Sequence, residues 1–153
     1  MSIHKYLVVA ILLGIISFLG YRYYEKQEQE FFESRETTSQ EIRDYERLTH
    51  VNVIAEAIRL YFLEHKRLPA DITRDAVFIC SSIKNIDCAD DQLDLSILLK
   101  GYLALIPSDP QSGFDNNTFY QVLLDGDVVN VIATKSEIEE ISASRSLNSD
   151  DGA

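Results

Sequence analysis

The first apolar run, YLVVAILLGIISFLGYRYY over residues 6–24, holds no charge between Lys5 and Arg22. About 20 apolar residues in helical form cross a bilayer core, so this run predicts one transmembrane anchor. Tyr6 stands at one edge and Tyr21, Tyr23 and Tyr24 at the other, where interfacial aromatics sit. A cleaved secretory signal is the alternative. It is disfavoured by Phe18-Leu19-Gly20, where a small residue belongs at the position of Phe18. Gly14, Ser17 and Gly20 recur at three-residue steps, a spacing that lets a second membrane helix approach closely.

The pattern then turns polar. Residues 25–41 are rich in Glu, Gln, Lys and Arg, which propagate helix well, and read as a polar helical stalk. Thr37, Thr38 and Ser39 leave two possibilities: Ser39 caps a new helix, or all three ride inside a longer one. From Leu48 the period is helical. Leu48, Val51, Ile54, Ala55, Ile58, Tyr61 and Phe62 fall on one face, with His65 at its far end. Val53, Ala57 and Leu60 form a narrower stripe opposite. The helix is expected to end at Leu68-Pro69, because the proline ring pushes Leu68 out of the helical region.

Beyond Pro69 the signals shorten. DAVFICSSI, residues 75–83, fits a short helix or an extended run, and residues 92–100 are expected to be helical, with Gly101 as the stop. Pro107 and Pro110 set the turns of a loop. TFYQVLL and VVNVIAT then flank Asp125-Gly126-Asp127, a strong hairpin signal. The tail, 138–153, is expected to open with a helical turn and then fray. The predicted fold class is α+β. A long N-terminal helix, part transmembrane and part amphipathic, lies on a small antiparallel sheet. The predicted divisions are an anchor at 1–24, the stalk at 25–41, a globular domain at 42–137 and the tail.

Composition narrows the function. With 153 residues, 46% hydrophobic and 25% charged, a core is within reach. A formal charge of −11 argues against nucleic-acid binding, which needs clustered cations. Cys80 and Cys88 are the only cysteines. A pair so close in sequence suits a disulfide outside the cytoplasm, the alternative being two unrelated thiols. Zinc lacks the remaining ligands. Lys5 lies before the apolar run, and Arg22 and Lys26 after it, so charge alone does not orient it. With the cysteines, the expected placement is a single-pass cell-membrane protein, N-terminus cytoplasmic and body outside.

Chemistry is sparse. His4, His50 and His65 share no site; the last two are about 22 Å apart along a helix. Asp109, Asp115, Asp125 and Asp127 are hard ligands of the kind calcium takes, but their spacing fits no known loop and turns favour Asp for backbone reasons. Asn116-Asn117-Thr118 is a glycosylation sequon of a kind common by chance. No nucleophile, phosphate-loop or dinucleotide motif is present. The expectation is no enzyme, no cofactor, no metal and no small-molecule substrate.

Several of these stretches together resemble the type IV pilin-like proteins, in particular the major pseudopilins of type II secretion. RLTHVNVIAEAIRLYFLEHKRLP is similar to that family's Arg-led amphipathic helix with a Tyr-Phe pair and a closing Pro69. YLALIPSDPQSG resembles its loop, with Pro107, Asp109 and Pro110 at the motif positions, and TFYQVLLDGDVVNVIATKSE its closing hairpin. The overlap covers residues 43–137. The resemblance implies a pilin-like fold, an extracytoplasmic body, and self-association or association with related pilin-like subunits at the membrane. The chain departs from the family pattern in four places, the first being that no glycine precedes the apolar run. No acidic residue lies within 6–21, Lys66-Arg67 stand where the family has a turn glycine, and Leu68 stands where it has an aromatic. The family's calcium site is not carried over, because TKSEIEEISAS lacks a close Asp cluster.

Overall fold

The computed structural model describes residues 3–80, 88–112 and 117–148, with side chains at 14, 15, 17–27 and from 34 onward within those ranges. The chain divides into two compact units, Met1–Ser39 and Gln40–Ala153. One helix, α1, runs Ile3–His65. Thr37–Ser39 ride within it: the Thr38 and Ser39 hydroxyls donate to the carbonyls of Ser34 and Arg35, at 2.9 and 3.0 Å, and so need no cap.

In the first unit the expected anchor is helical from Ile3 onward, but the side chains of 3–13 and of Ile16 lie outside the described residues. Among the described residues, no helix is long and apolar enough to cross a membrane. Ile15, Phe18 and Leu19 are exposed, at 49%, 63% and 60%. Gly14, Ser17 and Gly20 are exposed as well, and a methyl group added at either glycine would meet nothing within 4 Å.

In the second unit α1 buries Val51, Ile54, Ala55, Ile58 and Tyr61 against the sheet, and Phe62 packs at the edge of this core. Leu48, expected on the same face, is exposed, because the buried position one turn before Val51 belongs to its neighbour Arg47. The opposite stripe is divided: Ala57 is buried, Val53 and Leu60 are exposed. The helix stops at His65, before Leu68-Pro69. Lys66 turns left-handed at φ +55° and its N–H closes on the Phe62 carbonyl at 2.7 Å, an ending usually made by glycine.

Five strands follow: β1 (Val77–Cys80), β2 (Gln92–Asp94), β3 (Tyr120–Asp125), β4 (Val128–Ala133) and β5 (Ile141–Ser146). Their order in the sheet is β2-β1-β3-β4-β5. The fold is α+β as expected, but the sheet is mixed, since β1 and β2 pair in parallel. The helix expected over 92–100 is instead β2 and a 3-10 turn, Ser96–Leu99, that buries Leu98. The expected tail holds β5, paired with β4 from Val128↔Ser146 to Ala133↔Ile141. Its alternation of Ala143 inward and small Ser outward is a strand period written in weak letters.

The β3–β4 hairpin forms with Asp125↔Val128 as its last pair. Its turn residues are Gly126-Asp127, with Gly126 at φ +63°. Glycine at the first of two central positions makes a type II′ turn. Inward Tyr120, Val122, Val129 and Val131 meet α1, with Ile79, Leu95 and Leu98 completing the core.

Candidate functional site

The residues that stand out within the body are charged. Arg47 is fully buried, one turn before Val51 on the core face of α1. Its guanidinium donates from Nε to Asp109 Oδ2 at 2.6 Å, and from Nη1 to Asp44 Oδ1 at 2.7 Å and Glu137 Oε1 at 2.8 Å. Arg43 adds bonds to both Glu137 oxygens, at 2.7 and 2.5 Å. The carboxylates are held from behind. Asp109 accepts the N–H groups of Gln111 and Ser112, and Asp44 accepts those of Glu137 and Ile138. One cation thus fastens three pieces of chain: α1, the two-proline loop and the connection from β4 to β5.

The electrostatics follow from that geometry. Burial works against a charged Arg47, yet its bonds to Asp109, Glu137 and Asp44 outweigh it and raise its pKa. Arg43, then Arg47, hold Glu137 down to about 2. For Asp109 burial pulls upward, but Arg47 and the Ser112 and Gln111 N–H groups prevail and its pKa is lowered. Arg47, Asp109 and Glu137 therefore stay ionised near neutrality. The arrangement fixes the geometry of the three segments it joins.

His50, one turn further along, shares Nδ1 with the Tyr120 hydroxyl at 2.8 Å. Burial lowers the His50 pKa and raises that of Tyr120. A second ionic set, Arg59 and Arg145 on Glu56, ties α1 to β5, with Arg145 also reaching Asn52 at 2.8 Å.

The residues singled out by sequence scatter. Cys80 and Cys88 form a disulfide with Cα atoms 5.8 Å apart. It links the end of β1 to the residue run entering β2, clamping a parallel pair joined by a short connection. Asp109 is engaged with Arg47, and Pro107 is buried beside it, while Pro110 is exposed. Pro69 is half-buried past the helix end. Asp127 accepts from Asn148 in the hairpin turn, and Asp115 lies outside the described residues. Among the described residues no group of three or more His, Cys, Asp or Glu could hold a metal. In the sequon, Asn116 lies outside the described residues and the Thr118 hydroxyl is buried, donating to the Ile79 carbonyl at 2.7 Å.

The chain matches no family model, no curated protein and no solved structure.

Asp44 and Glu137 were not singled out from sequence, and Arg47 entered only as the opening letter of a resemblance. A signal did exist. Positions 44, 47, 51, 54, 58 and 61 keep one helical face, and its first two places are charged. A charge on a buried face needs a partner from elsewhere, which the Asp in SDP could have suggested.

Proposed function

We propose that this chain is a membrane-anchored structural subunit of pilin or pseudopilin type, serving a secretion or pilus-type assembly. The observation that carries the reading is α1. Its second part is held on the sheet by Val51, Ile54 and Ile58 and by the Arg47 junction. Its first part exposes Ile15, Phe18 and Leu19 within an uncharged run. Such a helix in water would be unstable by its exposed apolar area, so a bilayer or neighbouring helices must cover it. The disulfide supports a body outside the cytoplasm. The absence of acidic residues in 6–21 favours a second reading, a tethered extracytoplasmic binding module of pilin-like fold that does not polymerise.

Cross-linking within intact membranes separates the two. A structural subunit gives a ladder of multimers that is lost when Gly14, Ser17 and Gly20 are all replaced by Leu. A tethered module gives monomer under both conditions. Monomer alone refutes the assembly reading while leaving the anchor standing.

A further inference from the structure

At the C-terminal end of α1 an open cleft of about 540 Å³ is lined by Tyr61, Glu64, His65, Arg67, Lys100 and Tyr102. That volume lies in the range of sites for small molecules. Its wall is aromatic. The Tyr102 ring meets Tyr61 edge-on at 5.5 Å between centroids, and His65 lies against Tyr61 at 4.3 Å. The Tyr102 hydroxyl is fixed between the Glu64 carboxylate and His65 Nε2. Glu64 thus accepts from Tyr102 while its exposed carboxylate also lines the cleft.

Arg67 and Lys100 are different. Neither side chain makes an ion pair or hydrogen bond with a described residue, and both are exposed at the cleft. Cations beside a helix C-terminus complement its dipole, which accounts for Arg67. Lys100 comes from the opposite wall, after the 3-10 turn, and that account does not reach it. In a chain of formal charge −11, a cleft lined by two cations with no partner among the described residues, against the one carboxylate of Glu64 that Tyr102 already engages, is a place suited to negative charge.

We propose that this cleft binds a small organic oxyanion carried on a ring. The carboxylate or phosphate sits on Arg67 and Lys100, and the ring lies against Tyr102 and Ile97. Arg67 supplies a planar fork that matches either oxyanion, and Lys100 a point charge. The site is independent of membrane anchoring and of assembly.

The test titrates the full chain, held in a nonionic detergent, with phenyl phosphate, inorganic phosphate and phenol, following amide NMR shifts and heat. Phenyl phosphate is expected to saturate, to bind more tightly than inorganic phosphate, and to shift amides only around 61–67 and 97–102. Phenol is expected to leave the spectrum unchanged. Arg67→Gln with Lys100→Gln should weaken phenyl phosphate about tenfold or more without moving the unfolding temperature. Tyr102→Phe keeps the ring but uncovers Glu64, and should weaken binding too. Non-saturating shifts spread over all Lys and Arg residues overturn the proposal, as does equal binding by the double variant. Equal binding of inorganic and phenyl phosphate overturns the ring contact.

Discussion

Replacing Arg47 with Met keeps most of the side-chain volume and removes the cation. Breaking a buried ion pair from one side costs about 3–5 kcal/mol, because the other charge is left without its partner. Here the side chain of Asp109 is 1% exposed and that of Asp44 is 11% exposed. Both keep two backbone N–H donors, and Glu137 keeps Arg43. That residual support places the loss near the low end, about 3 kcal/mol at pH 7. For a body of this size it lowers the unfolding temperature by about 10–20 °C. The pH dependence carries the diagnosis. In the parent, Asp109 and Glu137 have lowered pKa values, so their stabilisation is present above the ordinary carboxylate range and is lost as pH falls towards 2. In Arg47→Met the same carboxyls protonate more readily, which relieves the penalty. The gap between the two proteins should therefore be widest near neutrality and narrow steadily below about pH 4.5. Urea unfolding followed by tyrosine near-UV circular dichroism measures it, as the chain has no Trp. A gap below about 0.5 kcal/mol at pH 7, or one that is flat from pH 7 to pH 3, would refute the junction as a charged fastening.

Three further expectations follow from other parts of the body. Lys66→Gly relieves a left-handed non-glycine residue; against the added freedom of the unfolded chain, urea unfolding should show a net gain of up to about 1 kcal/mol, and any loss contradicts the helix ending described. Cys80→Ser with Cys88→Ser should cost about 2–3 kcal/mol, read as a lower urea midpoint, and an unchanged midpoint would mean the clamp on β1 and β2 is idle. Burial lowers the His50 pKa, so the unfolded chain takes up a proton first and stability should fall as pH drops below about 6.5. His50→Gln should remove that part of the slope; an unaltered slope between pH 7.5 and 5.5 assigns it elsewhere.

What was legible in the sequence follows the strength of its periods. The amphipathic face from Val51 to Tyr61, the β3–β4 hairpin and the cysteine pair were all readable, because each has a dense local signature. β2 was not. Its three residues sit in QLDLSILLK, whose Leu and Ile spacing also suits a helix, and only parallel pairing with β1 makes it a strand. β5 was missed for the opposite reason. ISASRS carries little hydrophobicity, and a strand with one buried Ala143 is set by its neighbour more than by propensity. Leu48 was placed inward by counting apolar letters, whereas the face continues through Arg47 and Asp44. A charge can take a core position when its partners arrive from Asp109 and Glu137, 62 and 90 residues away. No local window contains that information. Lys66 is the same lesson at smaller scale: the missing glycine did not remove the left-handed helix ending, it only made it more strained.

We propose an anchored helix carrying an oxidised body outside the cytoplasm. Its most direct test is the intact, unreduced mass of the protein recovered from membranes washed at high pH, set beside the soluble fraction. The account expects the chain in the washed pellet, with a mass two hydrogens short of the thiol form. Recovery in the soluble fraction with both thiols free would contradict it.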